Sequence, residues 1–183
     1  MVDIIETVER FNKVEFDAFC SEYKFSFPSE YIEFLQRHNN CGLAPNLING
    51  KNDVYNLRYF YGTSAENISD LASVYKVYKT RIPEKIVPMA ESEGGNLICM
   101  SLQDNTYGSI YFWDHEILDT GDDEPCSTNV NDMDFIADSF SGFLMKIEKY
   151  DFSNNNHISV KNEHNTTGGG VWAILKKVFL IKK

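Results

Sequence analysis

Two short apolar runs near the middle of the chain constrain its fold more than any other feature. Leu97–Met100 and Ile110–Trp113 are hydrophobic or aromatic on both alternating faces, and the turn-forming stretch QDNTY (103–107) lies between them. A strand that is apolar on both faces is normally covered on both sides, and so short a connection favours antiparallel neighbours. The sequence therefore predicts two adjacent, central strands of an antiparallel sheet.

Further strands are predicted upstream of this pair. The segment IVPMAES (86–92) is separated from the next strand by the short turn EGG (93–95), which again favours an antiparallel partner. Residues 43–62 contain the turn signal NGKND (49–53) between strand-like stretches. Apolar and polar residues partly alternate in this region, which predicts a strand with Tyr55, Leu57, Tyr59 and Tyr61 on one side.

Helical spacing of apolar residues marks the segments around these strands. The clearest helix follows Pro28, with Tyr31, Phe34, Leu35 and His38 on one face and a stop at Asn39, Asn40 and Gly42. The same spacing predicts one or two helical segments within residues 3–22, a helix from about Ser64 to Lys79, and a closing helix through Phe135–Ile147.

The charge of the chain is negative and unevenly distributed. The formal net charge is −10, which disfavours a nucleic-acid binder because phosphate would repel such a surface. Residues 151–183 carry five lysines and two acidic residues, a net of +3, which leaves −13 for residues 1–150. This change in composition predicts a main domain at 1–150, followed at 151–183 by an Asn- and Gly-rich linker and a short apolar, basic tail.

Cysteine spacing and the N-terminal sequence indicate a cellular compartment. Cys20, Cys41, Cys99 and Cys126 form no CxxC motif, so neither a zinc knuckle nor a thioredoxin-like site is indicated. The opening MVDIIETVER lacks the apolar core of a signal peptide, and no apolar run approaches the ~20 residues that span a bilayer. Reduced thiols and a cytoplasmic location are expected.

A cluster of polar residues follows the second apolar run. Asp114, His115 and Glu116 could belong to a metal or catalytic site, or they could end a strand and hydrogen-bond to nearby turns. No HxH, HExxH or DxD spacing accompanies them, and the other histidines are scattered. The spacing favours the structural interpretation, and no metal ligand is assigned.

The order of several motifs resembles the SUKH superfamily. The stretch FPSEYIEFL (27–35), followed by Asn39, Asn40 and Gly42, is similar to the opening LPxxYxxFLxxxNG helix of that superfamily, although Cys41 intervenes before the glycine. The segments that continue the resemblance are YNLRYFYGTS (55–64), RIPEKIVPMAESEGGNLICMSL (81–102), GSIYFWDHE (108–116) and DSFSGFLMKI (138–147). The likeness covers roughly residues 14–148, and the residues beyond 150 have no counterpart in it.

This resemblance implies both a fold and a class of function. The fold is α+β, with a central antiparallel sheet of about five or six strands and helices packed around it. Most bacterial members resemble immunity proteins that neutralise toxins, often nucleases, and fungal relatives act as cell-wall regulators and scaffolds. The resemblance implies no enzymatic activity and no cofactor.

Acidic residues provide the candidate contact surface for a toxin. Clustered carboxylates can imitate the phosphate backbone and occupy the basic cleft of a nuclease, and opposite charge accelerates encounter. The alternative is an ordinary solvated face. The predicted partner-binding carboxylates are Glu91, Glu93, Asp114, Glu116, Asp119, Asp122, Asp123 and Glu124, with Tyr61 and Tyr107 as aromatic anchors.

Three functions are therefore compared. The first is an immunity protein with one cognate basic toxin as its partner and no nucleic-acid or membrane partner. The second is a regulatory scaffold that binds several proteins, and the third is a small enzyme that uses His115. The apolar tail, VWAILKKVFLIKK (171–183), makes a homodimer possible, although docking of the tail on the protein's own body ranks first and membrane contact last.

Overall fold

The computed structural model describes residues 3–5, 10–44, 46–51, 53–63, 69–116 and 129–148. These residues form eight strands and four α-helices, with short 3-10 turns at Glu93–Gly95 and Val130–Asp132. In chain order the elements are β1 (Asp3–Ile5), α1 (Lys13–Tyr23), α2 (Ser29–Arg37), β2 (Gly42–Ala44), β3 (Leu47–Asn49), β4 (Val54–Phe60), α3 (Leu71–Tyr78), β5 (Ile86–Ser92), β6 (Leu97–Ser101), β7 (Ile110–Trp113), β8 (Asp134–Ala137) and α4 (Phe140–Glu148).

The main sheet has six strands in the order β3-β4-β5-β6-β7-β8, and every neighbouring pair is antiparallel. Strands β1 and β2 form a separate antiparallel ribbon. All residues of β6 and β7 are buried, as their two apolar faces predict, and both strands lie inside the sheet. The predicted α+β fold with a central antiparallel sheet is thereby confirmed.

The sheet is strongly curved and nearly barrel-shaped. Strands β4 and β7 are three positions apart in the sheet order, which in a flat sheet would separate them by about 14 Å. Yet Tyr55 of β4 stacks on Phe112 of β7, with ring centroids 3.7 Å apart and an interplanar angle of 12°. Helix α4 contacts both edge strands, β3 and β8, and Lys146 donates a hydrogen bond to the carbonyl of Ile136 in β8.

Helix α2 connects this sheet to α4 through aromatic packing. Pro28 directly precedes the helix, as its fixed φ favours, and Tyr31 and Leu35 are completely buried. The ring centroid of Phe34 lies 4.8 Å from that of Phe60 in β4 and 4.9 Å from that of Phe140 in α4. The apolar stripe read from the sequence is therefore the contact face of this helix.

Helices α1 and α3 pack against each other beside the sheet. The side chain of Asn12 caps α1 by accepting the backbone N–H groups of Val14 and Glu15, at 3.1 and 3.3 Å. Phe19 of α1 meets Tyr75 of α3 edge to face, with centroids 5.6 Å apart. These aromatic contacts belong to the same buried core as the sheet.

Three element predictions are corrected by the structure. Residues 3–5 form a strand rather than the start of a helix, because they pair with residues 42–44. Residues 134–137 form edge strand β8 rather than the first turn of the closing helix, which begins at Phe140. Helix α3 begins at Leu71, after the non-helical residues 69 and 70, because the Asp70 side chain caps it by accepting the Ser73 N–H at 2.8 Å; the predicted start near Ser64 lies outside the described residues.

Candidate functional site

The predicted contact surface lies where several strands begin or end at one edge of the sheet. Glu91, Leu97 and Trp113 are aligned across β5, β6 and β7, and Leu57 of β4 lies opposite Ser92. The Glu93–Gly95 turn and residues 114–116 continue directly from these strands. We call the four described carboxylates at this end, Glu91, Glu93, Asp114 and Glu116, the acidic rim.

Hydrogen bonds fix the segment after Trp113. Strand β7 ends at Trp113, and the residues that follow it lead into a turn at 115–116. The Asn96 Oδ1 accepts the His115 N–H at 3.1 Å and lies 2.8 Å from His115 Nδ1, while Asp114 Oδ1 accepts the Glu116 N–H at 2.9 Å. The interpretation that these residues hydrogen-bond to nearby turns is confirmed.

The carboxylates of the acidic rim differ in their local partners. Glu91 accepts Arg58 Nη1 at 2.6 Å on Oε1 and the Tyr59 hydroxyl on Oε2, and its side chain is 20% exposed. Glu93 is exposed and accepts the Asn56 side-chain amide at 3.1 Å. Glu116 is exposed and Asp114 is partly exposed. Glu91 is thus largely neutralised, whereas Glu93, Asp114 and Glu116 have no cation bound at salt-bridge distance within the described chain.

The two candidate aromatic anchors occupy different environments. Tyr61 is only 3% exposed, and its ring meets that of Tyr59 edge to face at 5.7 Å. Tyr107 is 47% exposed, but it lies in the connection that precedes Ile110, at the end of β7 opposite Asp114. Burial, followed by the nearby Glu91 carboxylate, raises the pKa of Tyr61, so this ring lies close to the acidic rim but is buried, whereas Tyr107 is exposed away from it. The remaining predicted contacts, Asp119, Asp122, Asp123 and Glu124, lie outside the described residues.

A second set of interacting side chains at this end, Tyr55 and Asp134, was not predicted from the sequence. The Tyr55 hydroxyl donates to Asp134 Oδ2, and burial, followed by this hydrogen bond and the nearby carboxylates of Asp134, Asp53 and Asp114, raises the pKa of Tyr55 well above its usual value. A Cβ on Gly50 would lie 2.2 Å from Tyr55 Cε2, so only glycine leaves room for the ring. The short apolar run after Asp134 was the available signal, but it was assigned to a helix.

Two arginines at this end were also missed. Arg58 lies in β4 and binds Glu91, and burial together with the hydrogen bond to Glu91 raises the pKa of the neighbouring Tyr59 to about 12. The Arg81 guanidinium carbon lies 5.4 Å from the Trp113 ring centroid, and Arg81 Nη2 lies 3.4 Å from the His115 carbonyl oxygen. Two arginine side chains therefore lie beside the acidic rim. The net charge of the sequence did not indicate their position.

Neither a metal centre nor a membrane span is found in the described part of the chain. Among those residues, no group of three or more His, Cys, Asp or Glu side chains could hold a metal ion. No described helix combines the length and apolar character needed to cross a bilayer.

These features define a class of protein. The described residues form an α+β domain in which a curved antiparallel sheet holds charged side chains on hydrogen-bonded turns at one end. Residues 11–146 match the model of the SMI1 / KNR4 family (SUKH-1), and the chain belongs to this family. The resemblance to the SUKH superfamily, read from residues 14–148, is confirmed.

A curated relative gives a second comparison. The chain is 32% identical over 139 residues to the SPbeta prophage-derived uncharacterized protein YokK of Bacillus subtilis (strain 168). The aligned region covers 66% of this chain and 66% of that protein, so the chain spans about two thirds of the relative's length. The family is known for immunity proteins and is generally non-catalytic.

Proposed function

We propose that this protein is an immunity protein that binds one cognate toxin and blocks it sterically and electrostatically. Membership of the SMI1 / KNR4 family supports the class, and the prophage origin of a relative is compatible with a role in competition between bacteria. The observation that carries the proposal is the acidic rim, in which Glu93, Asp114 and Glu116 project from turns anchored by hydrogen bonds.

The electrostatic argument favours a basic partner. Carboxylates at one sheet end, on a chain with a formal net charge of −10, attract a positively charged protein and raise the rate of encounter. A nuclease is the toxin class that suits this surface best, because its nucleic-acid cleft is itself positively charged. Such inhibition requires no catalytic residue and no cofactor in the immunity protein.

The proposal is tested by co-expressing the chain with the toxin encoded by the neighbouring gene. Wild-type protein is expected to keep the cells alive. The paired substitution Glu93→Lys and Glu116→Lys is expected to weaken binding of the purified toxin by about tenfold or more, mainly through slower association at low salt.

A matched control uses the opposite end of the same strands. Glu84 precedes β5 and Asp104 follows β6, and both are exposed. Glu84→Lys with Asp104→Lys makes the same change in net charge and should leave toxin binding nearly unchanged. Cell death despite soluble wild-type protein would exclude immunity against that toxin, and equal loss in both pairs would exclude a role specific to the acidic rim.

A regulatory scaffold is the rival function within the same family. It would capture a set of weakly bound proteins in a pull-down, whereas an immunity protein would capture one tightly bound basic toxin. The third candidate, a small enzyme, would lose turnover in a His115→Ala variant while its binding functions remained.

A further inference from the structure

Strand β4 contains an extra residue at Arg58. Leu57 lies opposite Ser92 and Tyr59 lies opposite Glu91, so Arg58 has no counterpart on β5 and forms a β-bulge. Bulges change the direction of a side chain and are frequent beside binding and active sites. The Arg58 side chain is 54% exposed, next to the acidic rim.

A chain of contacts holds this arginine in place. The Tyr59 hydroxyl donates to Glu91 Oε2, and Glu91 Oε1 accepts Arg58 Nη1 at 2.6 Å. Glu91 is the least exposed of these charged groups, with 20% of its side chain accessible. Both oxygens of Glu91 are therefore engaged, and Glu91 holds the Nη1 side of the Arg58 guanidinium in place before a partner binds.

The rest of the guanidinium retains donor capacity. An arginine carries five N–H donors in a planar fork. The hydrogen bond from Arg58 to Glu91 uses Nη1. Among the described residues, no acceptor is hydrogen-bonded to Nε or Nη2. A fork of this kind matches the two oxygens of a carboxylate, a geometry that a lysine cannot reproduce.

We propose that Arg58 binds a carboxylate of the partner protein and fixes the orientation of the complex. This inference rests on the proposed function, since it assigns Arg58 to the surface that binds the toxin. A basic toxin is repelled by an exposed arginine unless it places an acidic side chain opposite. Arg58 therefore admits toxins that carry this carboxylate within their basic surface and disfavours the others.

The test measures affinity for the purified, catalytically inactivated toxin domain from the neighbouring gene. Arg58→Ala is expected to weaken binding by about 30-fold, the size typical of an interface hot spot. Arg58→Lys keeps the charge but loses the fork, and it should recover only part of the affinity.

Arg37 provides the matched control. It is an exposed arginine in α2, outside the strands and turns that form the acidic rim, and it pairs with Glu33 at 3.5 Å. Arg37→Ala should leave the affinity unchanged. Thermal unfolding of each variant checks the fold. The Arg37 pair is exposed and contributes little to stability, whereas Arg58→Ala removes the partner of the mostly buried Glu91, so affinity is compared only for variants that remain folded.

A double-mutant cycle identifies the partner group. Each acidic residue on the toxin surface is replaced by alanine and combined with Arg58→Ala, and one toxin carboxylate should show a non-additive loss. The inference is overturned if Arg58→Ala binds like the wild type, if Arg58→Lys restores full affinity, or if no toxin carboxylate couples to Arg58. A toxin that fails to bind even the wild-type chain would instead overturn the proposed function.

Discussion

Hydrogen bonding decides, residue by residue, which polar groups at the sheet end are available to a partner. Glu91 and Glu93 are both glutamates near the same turn, yet Glu91 is paired with Arg58 and Tyr59 while Glu93 is exposed beside an amide. Their contributions to a contact surface therefore differ, although the sequence presents them as equivalent. The same reasoning separates two tyrosines whose hydroxyl groups are in opposite situations.

The tyrosine pair gives a prediction about stability. Tyr31 is completely buried, and its hydroxyl finds no hydrogen-bond partner within the described residues, whereas the Tyr55 hydroxyl donates to Asp134. Tyr31→Phe should therefore change the free energy of unfolding by no more than about 0.5 kcal/mol, or stabilise the protein, because no bond is lost. Tyr55→Phe should cost about 1.5–3 kcal/mol, because a hydrogen bond to a carboxylate contributes more than one between neutral groups.

Urea unfolding of both variants measures the difference. An equal loss in the two would show that the Tyr31 hydroxyl has an acceptor outside the described residues. Burial raises the pKa of Tyr31 far above the ordinary tyrosine value, so the comparison is free of ionisation at neutral pH.

At the scale of elements, one helix caps another. Glu30 of α2 accepts the backbone N–H of Phe140 at 2.9 Å on Oε1 and the Ser141 hydroxyl on Oε2. Ser139 completes the cap by accepting the Gly142 N–H at 3.1 Å. The first turn of α4 thus depends on a residue more than a hundred positions away, and a negative charge there also suits the helix dipole.

Removing this cap should destabilise the protein. Glu30→Ala is expected to lower the free energy of unfolding by about 1–2 kcal/mol, as for other lost N-terminal caps. Glu33→Ala is the control on the same helix, because its exposed pair with Arg37 should be worth no more than about 0.5 kcal/mol. Chemical unfolding of both variants makes the comparison, and similar losses would count against the capping role.

The whole molecule is organised around a curved sheet that brings distant strands together. The stacking of Tyr55 on Phe112 and the hydrogen bond to Asp134 connect β4 with β7 and β8, which are remote in the sheet order. Helix α4 supplies Phe140, Phe143 and Ile147, all completely or almost completely buried, to the core that these strands enclose. The domain therefore requires the chain as far as α4.

The predicted domain boundary at residue 150 can be tested by truncation. A chain truncated after Tyr150 should fold, with a thermal midpoint within about 3 °C of the full chain, a shift that corresponds to roughly 1 kcal/mol in a domain of this size. Truncation after Asp138 removes α4 and should abolish the cooperative transition. Circular dichroism during heating measures both, and an unfolded 1–150 chain would contradict the boundary, which stays a prediction here.

Local chemistry was sufficient to predict much of this protein from its sequence. The apolar runs of β6 and β7, the turns between them and the stripe of α2 were all interpretable, because burial on two faces or on one helical face leaves a periodic pattern. The edge strands could not be predicted in this way. Asp3–Ile5 and Asp134–Ala137 are strands because they form hydrogen bonds with β2 and β7, and no local sequence pattern indicates that pairing.

The same distinction between local pattern and long-range packing applies to the candidate site. The order of the strands predicted that four carboxylates would meet at one end of the sheet: Glu91, Glu93, Asp114 and Glu116. In an antiparallel sheet every second connection lies at the same end. The pairing of Arg58 with Glu91, the burial of Tyr61 and the contact of Tyr55 with Asp134 depend on a β-bulge and on sheet curvature. Those features arise from long-range packing, so only the tertiary structure decided them.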